Sequence, residues 1–116
     1  MRSYNKAVIL GRLGREPKNI SNDDKCVVVF PVATNEKHVD KATGEVKEYT
    51  DWHSVVVYGK QGEACLDQLD KGDRVLVEGK MRVGIHKSEG EYKLPKVEIM
   101  AREVSFIDAS GREEEE

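Results

Sequence analysis

The segment Glu48-Tyr49-Thr50-Asp51-Trp52-His53-Ser54-Val55-Val56-Val57-Tyr58-Gly59-Lys60 governs how the rest of the sequence is interpreted. It is rich in β-branched and aromatic residues and contains no proline, which predicts a long β-strand. Because side chains alternate across a strand, one face carries Thr50, Trp52, Ser54, Val56 and Tyr58, and the other carries Tyr49, His53, Val55 and Val57. The second set is mostly apolar, so we expect it to face the core.

The first face carries the only tryptophan of the chain, a tyrosine six residues later, and Lys60 at the end of the strand. Aromatic rings with a cation beside them are suited to stacking nucleobases and contacting phosphates. The same spacing also fits two ordinary core aromatics. The pattern alone leaves both interpretations of Trp52 and Tyr58 open.

Composition limits the class of protein. The 116 residues are 38% hydrophobic and 35% charged, which is typical of one globular domain without a membrane-spanning segment. The net charge of −3 is uneven, since without Glu113–Glu116 the chain has 19 basic and 18 acidic residues. A near-neutral body does not exclude nucleic acid, because binding depends on local potential. Cys26 and Cys65 have no metal-ligand spacing, so we expect reduced thiols in the cytoplasm.

The order of predicted elements indicates the fold. Strands are expected over residues 5–13, 26–34, 48–60, 73–83 and 92–107, with one short helix over residues 61–69. Pro31 predicts an edge or a bulge, and Gly79 a bulge or sharp bend. The polar residues 35–47 are expected to form a long, mobile hairpin connection, and residues 84–91 a second polar hairpin tip.

A β-β-β-α-β-β order is that of an all-β, five-stranded OB-fold barrel with one helix between strands 3 and 4. The sequence thus predicts an OB-fold domain over residues 1–108, followed by a short acidic disordered tail over residues 109–116.

The residues give no support for an enzyme. The three histidines, His38, His53 and His86, lie in different segments without the spacing of metal ligands. Neither a glycine-rich phosphate-binding loop nor a nucleophilic serine elbow occurs in the sequence. We therefore expect no catalytic residues, no metal site and no cofactor.

Nearly all of the first 108 residues resemble the bacterial-type single-stranded-DNA-binding proteins. The block Trp52-His53-Ser54-Val55-Val56-Val57-Tyr58-Gly59-Lys60 is the most specific part of the resemblance. The other matching pieces are Asn5-Lys6, Gly11-Arg12-Leu13-Gly14 with Pro17, Val32-Ala33-Thr34, Asp40-Lys41-Ala42-Thr43-Gly44-Glu45, Leu69-Asp70-Lys71-Gly72-Asp73 and Val77-Glu78-Gly79-Lys80-Met81-Arg82. The resemblance favours the stacking interpretation of Trp52 and Tyr58.

The resemblance implies sequence-independent binding and protection of single-stranded DNA during replication, recombination and repair. It implies base stacking on Trp52 and Tyr58. It implies phosphate contacts by Arg2, Lys41, Lys60, Lys71 and Arg82, to which we add Lys6, Arg12 and Lys87 for their charge near these segments. It also implies a homotetramer with His53 near a subunit contact, although a histidine satisfied within the barrel fits that position equally.

The sequence departs from the family pattern at several positions. His38 and His86 stand where well-studied members often carry tryptophan, so each is a smaller stacking ring or a solvated loop histidine. Ser54 replaces a frequent arginine. The resemblance also implies a tail with an apolar tip that recruits replication and repair proteins, whereas this sequence ends in four glutamates without such a tip. Those glutamates are either simply solvated or compete with DNA for the basic groove.

Two other binding functions fit the same pattern. One is an OB-fold adaptor of the primosome type that contacts proteins and binds nucleic acid weakly. The other is RNA binding, since stacking and phosphate contacts do not distinguish the sugar. The resemblance favours single-stranded DNA as the partner and a cytoplasmic, nucleoid-associated protein.

Overall fold

The computed structural model describes residues 2–21, 24–87 and 93–109, with no side chain described between residues 85 and 95. In these ranges the elements are β1 (Ala7–Leu13), β2 (Lys18–Asn19), β3 (Val27–Val39), β4 (Val46–Tyr58), α1 (Gly59–Gln68), β5 (Arg74–Lys87) and β6 (Lys93–Asp108). From residue 110 onward, the predicted acidic tail lies outside the described residues.

Five of the strands close into a barrel. They follow the order β1-β5-β6-β4-β3, and β3 pairs again with β1 at Arg12↔Ala33 and Leu13↔Val32. Pairing is antiparallel except between β4 and β6. The all-β, five-stranded OB-fold is therefore confirmed, with α1 between the third and fourth barrel strands. The additional β2, only two residues long, is too short to produce an alternating pattern in the sequence.

Closure of the barrel depends on a glycine in β1. A methyl group at Gly11 would lie 2.1 Å from the carbonyl oxygen of Ala33. Only a residue without Cβ allows β1 and β3 to approach this closely.

The core lies between the inward faces of the barrel strands and the base of α1. Val55 and Val57 of β4 are fully buried, as their alternation predicts. The same alternation predicts a core-facing Tyr49, but this residue is 53% exposed because the first half of β4 extends beyond the barrel. It also predicts an outward-facing Val56, yet Val56 is only 4% exposed, flanked in the sheet by Val29 and Met100.

The prediction of a long hairpin connection over residues 35–47 was wrong. β3 and β4 pair without interruption from Val27↔Tyr58 to Val39↔Val46, and only residues 40–45 form the turn. This two-stranded ribbon is exposed on both faces. Its side chains are therefore mostly polar on both faces, and the alternation of apolar and polar residues that predicts a strand is missing. β5 likewise continues beyond its predicted end to Lys87.

Two local predictions about the strands have different outcomes. The register of β5 against β6 shifts between Glu78 and Gly79, which confirms a bulge at Gly79. Pro31 does not mark an edge strand, because β3 has neighbours on both sides. It lies between the residues that pair with β2 and those that pair with β1, where its missing N–H interrupts neither ladder.

α1 packs across one end of the barrel, and its first turn is hydrogen-bonded to a barrel strand. The side chain of Gln61 accepts a hydrogen bond from the backbone of Val104 at 2.7 Å and donates one to the carbonyl of Arg102 at 3.1 Å. Cys65 and Leu69 are buried against the core. The hydrogen bonds of Gln61 hold the first turn of α1, which carries Lys60, against β6.

Candidate nucleic-acid interface

The two aromatic residues singled out on β4 lie on one open face. Trp52 is 62% exposed and Tyr58 is 51% exposed, so neither is a core residue. Their sequence separation on β4 corresponds to about 20 Å along the strand. The β4 face therefore presents two separate aromatic surfaces, connected by Ser54 and Val56.

Trp52 lines a groove of about 630 Å³ between β4 and the segment that leads from β1 to β2. We call this the Trp52 groove; its other lining residues are Gly14, Arg15, Glu16, Lys18, Val29, Phe30, Pro31 and Ser54. Val29 and Pro31 give it an apolar floor, whereas the rim carries two cations and one carboxylate. Aromatic surface with cations alongside is the combination that binds single-stranded nucleic acid.

Tyr58 lines a smaller groove of about 340 Å³, the Tyr58 groove. Its other lining residues are Asp24, Lys25, Cys26, Val27, Gly59, Lys60 and Glu63. Tyr58 is the residue before the first turn of α1 and has extended backbone angles. The fold thus brings Tyr58 and the predicted phosphate ligand Lys60 together. Two carboxylates balance the two lysines in this groove.

Cations of β5 lie on the same face as the aromatics. Arg82 pairs with Glu98, which pairs in turn with Ser54, so these three residues form one row across β5, β6 and β4. Lys80 occupies the next row, beside Met100 and Val56. Because paired residues share a sheet face, Arg82 and Lys80 lie about 10 Å, two strand spacings, from β4.

Two predicted site residues lie in the ribbon beyond the barrel. Lys41 is in the turn at its tip, more than about 20 Å along β4 from Trp52. His38 is exposed and pairs with Lys47, on the ribbon face opposite to Trp52. The structure therefore does not bring His38 to the Trp52 groove.

Arg12 and Lys71 belong to a hydrogen-bonded corner next to the Trp52 groove. The guanidinium of Arg12 donates to the carbonyl of Gly72 at 2.9 Å, and the backbone N–H of Lys71 donates to the Glu16 carboxylate at 3.1 Å. Glu16 is itself a groove residue, so Lys71 is held at the edge of the groove. Arg12 is engaged in fastening the turn.

The remaining predicted residues are more dispersed. Lys6 forms an exposed ion pair with Glu78 at 4.0 Å, and Arg2 is exposed before β1. His86 and Lys87 belong to the last residues of β5, and their side chains lie outside the described part of the structure. His53 lies on the other face of β4, half-buried, where its Nε2 shares a 2.8 Å hydrogen bond with Thr34 Oγ1.

Sequence reasoning missed four cations of this surface. Arg15 and Lys18 line the Trp52 groove, Lys25 lines the Tyr58 groove, and Lys80 shares the β4 face. The run of basic residues after the first strand was the only signal for Arg15. Lys18 is placed by its pairing with Val29, which no local pattern indicates.

Two groups near the grooves have perturbed acidity. The carboxylate of Glu16 raises the pKa of Asp70, which is exposed in the turn that contacts it. Burial, and then the neighbouring Cys26, raise the pKa of the Cys65 thiol to about 11. Among the described residues, no three His, Cys, Asp or Glu side chains gather closely enough to hold a metal ion.

Comparisons with known proteins identify a family and two similar solved structures. Residues 4–107 match the family model described as the single-strand binding protein family. The structure of an SSB from Plasmodium falciparum in complex with ssDNA has a TM-score of 0.81 and 34% sequence identity, covering 93% of this chain and 98% of that one.

A second solved structure shows the same fold at lower identity. It is a deletion mutant of the single-stranded DNA binding protein from Thermus aquaticus, with a TM-score of 0.76 and 24% identity. The match covers 94% of this chain and 52% of that one.

Proposed function

This chain belongs to the single-strand binding protein family, and we propose that its β4 face binds single-stranded DNA without regard to base sequence. The observation that carries the proposal is the pair of exposed aromatics, Trp52 and Tyr58, on one strand face with cations on both sides. Members of the family bind DNA and catalyse no reaction, so the protein is not an enzyme.

In the mechanism that we propose, bases stack on the indole of Trp52 and on the ring of Tyr58 while the backbone passes the neighbouring cations. Stacking on an aromatic contributes about 1–3 kcal/mol per base and does not depend on base identity. Arg15 and Lys18 contact phosphates beside Trp52, Lys60 contacts them beside Tyr58, and Arg82 approaches from β5. Lys71, at the edge of the Trp52 groove, extends this path.

The remaining predicted residues take secondary positions in the proposal. Arg2, Lys6, Lys41 and Lys87 surround the path as further phosphate contacts, and Arg12 acts mainly by holding the turn at Gly72. His38 lies on the ribbon face opposite to Trp52. A base can therefore stack on His38 only if the DNA strand wraps around the edge of the ribbon. His86 stays a proposed stacking residue of the β5–β6 hairpin.

We also propose that the protein is a cytoplasmic homotetramer. Its domain over residues 1–108 binds and protects single-stranded DNA during replication, recombination and repair. The outward face of β1 supports self-association, because Val8 and Leu10 are 55% and 52% exposed and Leu10 pairs with Leu76 in the sheet. Apolar surface of this kind is covered in stable assemblies. Within the described residues, no helix has the length and hydropathy needed to cross a lipid bilayer.

The test is a titration of the Trp52 fluorescence with oligo-dT, oligo-rU and duplex DNA. Since Trp52 is the only tryptophan, its signal reports directly on the Trp52 groove. We expect strong quenching by oligo-dT and little by duplex, with binding retained at about 0.2 M salt although it weakens as counterion release predicts.

Absence of quenching with every oligonucleotide would contradict the proposal and favour a protein-binding adaptor. Stronger quenching by oligo-rU than by oligo-dT would instead identify RNA as the preferred ligand. Light scattering at the same protein concentration tests the assembly, for which four chain masses are expected.

A further inference from the structure

The indole of Trp52 rests against the backbone of Gly14. A methyl group at Gly14 would lie 2.3 Å from Cζ3 of Trp52, 2.9 Å from Cη2 and 3.3 Å from Cε3. Carbon atoms in van der Waals contact are about 3.5–4.0 Å apart, so the six-membered ring occupies the space that a side chain would need. Contact with Gly14 covers part of the indole, while 62% of the residue stays exposed to solvent.

The backbone that supports the indole is held firmly. The N–H of Gly14 donates to the carbonyl of Pro31 at 2.9 Å, and the N–H of Leu13 donates to that of Asp73 at 2.9 Å. Gly72 returns a hydrogen bond to the carbonyl of Leu13 at 2.8 Å. Gly14 is therefore fastened to β3 on one side and, through Leu13, to the turn before β5 on the other.

Glycine at this position is not required by the backbone itself. The glycines with positive φ among the described residues are Gly44, Gly59 and Gly72, and Gly14 is not one of them. Its φ therefore lies outside the left-handed region that favours glycine. What excludes a side chain is the indole of Trp52, which identifies the contact, and not the turn, as the reason for glycine.

We propose that Gly14 is a positioning residue for DNA binding, which holds the Trp52 indole in a stacking orientation before DNA arrives. An exposed side chain on a strand otherwise samples several rotamers, and the Gly14 backbone restricts this sampling in the unbound protein. The Trp52 side chain then loses less conformational entropy when a base stacks on its ring. This inference rests on the proposed stacking function of Trp52.

The first experiment is on Gly14→Ala without DNA. Because the indole is exposed, it can swing away from the added methyl group while the barrel stays folded. We expect a higher acrylamide quenching constant, a lower fluorescence anisotropy of Trp52 and an unchanged melting temperature. Gly84→Ala is the matched control, since among the described residues nothing lies within 4 Å of a methyl group there. Unchanged quenching and anisotropy in Gly14→Ala would overturn the proposal.

The second experiment is a double-mutant cycle with Trp52→Phe, measured with dye-labelled oligo-dT. Phenylalanine lacks the ring atoms that meet Gly14, so the two substitutions are expected to be strongly coupled. Gly14→Ala should weaken binding about 3- to 10-fold with Trp52 present, a fraction of one stacking interaction, and less than about twofold in the Trp52→Phe background. An equal effect in both backgrounds would overturn the proposal and show that Gly14 acts on DNA directly.

The design separates this inference from the proposed function. If the parent protein did not bind oligo-dT, the proposed function would fail, while acrylamide quenching would still decide whether Gly14 orients the indole. If Gly14→Ala did not fold, recovery of folding in Gly14→Ala/Trp52→Phe would support the contact. Failure of both variants to fold would overturn it, because glycine would then be needed by the loop itself.

Discussion

The Trp52 groove and the Tyr58 groove lie at two positions of the same strand face, yet they are built differently. Trp52 packs against Gly14, whose backbone is hydrogen-bonded to its surroundings, and its groove is about 630 Å³. Tyr58 precedes a helix and faces a groove of about 340 Å³. The larger groove therefore offers both more surface and a supported ring.

The two grooves also differ in charge, and the Trp52 groove is the more positive one. The Trp52 groove is lined by two cations and one carboxylate, whereas the Tyr58 groove is lined by two lysines and two carboxylates. A phosphate near Trp52 therefore meets a net positive rim, and a phosphate near Tyr58 does not. We therefore expect the two aromatic residues to contribute unequally to binding, because their tertiary surroundings set both the ring orientation and the local potential.

The largest expected effect is that of Trp52→Ala. Removal of the indole should weaken oligo-dT binding about 10- to 100-fold, within the roughly 1–3 kcal/mol of one stacking interaction. The melting temperature should change little, because the residue is 62% exposed. Fluorescence anisotropy of labelled oligo-dT and a thermal melt measure the two quantities.

The control for this variant is Tyr49→Ala. Tyr49 is a similarly exposed aromatic of β4 on the opposite face, so its removal should leave affinity within about twofold, less than any stacking interaction. Equally weakened binding in the two variants would mean that the Trp52 face is not the binding surface.

Tyr58→Ala should have a smaller effect, about 3- to 10-fold, because its groove is smaller and its charges are balanced. Oligo-dT should still quench Trp52 in this variant, since the Trp52 groove is intact. A greater effect of Tyr58→Ala than of Trp52→Ala would reverse the comparison and make the Tyr58 groove the main contact.

Single removal of Arg15 or Lys18 should affect salt dependence more than base stacking. Without one phosphate-binding side chain, the negative slope of log K against log salt should become less steep by about 0.7. Lys47→Ala, on the ribbon face opposite to Trp52, is the matched control and should leave the slope unchanged. A slope that is unaffected in all three variants would place the phosphates elsewhere.

The smallest effect is expected for Asp70→Asn, beside the Trp52 groove. The charge of Glu16 raises the pKa of Asp70 in the folded protein, so folding is favoured as pH falls through the titration of Asp70. The negative charge of Glu16 therefore disfavours the charged form of Asp70, which is the form present at neutral pH. The substitution should therefore raise the melting temperature slightly at neutral pH and leave it unchanged at acidic pH. A gain that persisted under acidic conditions would exclude this repulsion as its cause.

Sequence reasoning identified the parts of the candidate site that lie within one strand. The alternation of β4 placed Trp52 and Tyr58 together, and Lys60 followed from its position after the strand. His38 was placed in the same set, although pairing with Lys47 puts it on the opposite face. Arg15 and Lys18 were not found because they reach Trp52 only through the pairing of β2 with β3.

Local patterns in the chain were sufficient for the β-β-β-α-β-β order, the aromatic face of β4 and the absence of known catalytic motifs. Side-chain alternation and residue composition are encoded within a few consecutive positions, so these properties can be read without a structure. The three-dimensional arrangement was needed for the extent of the β3–β4 ribbon, the cations around each aromatic and the support of Trp52 by Gly14. Each of these depends on contacts between residues far apart in the chain, and a periodic pattern carries no information about such contacts.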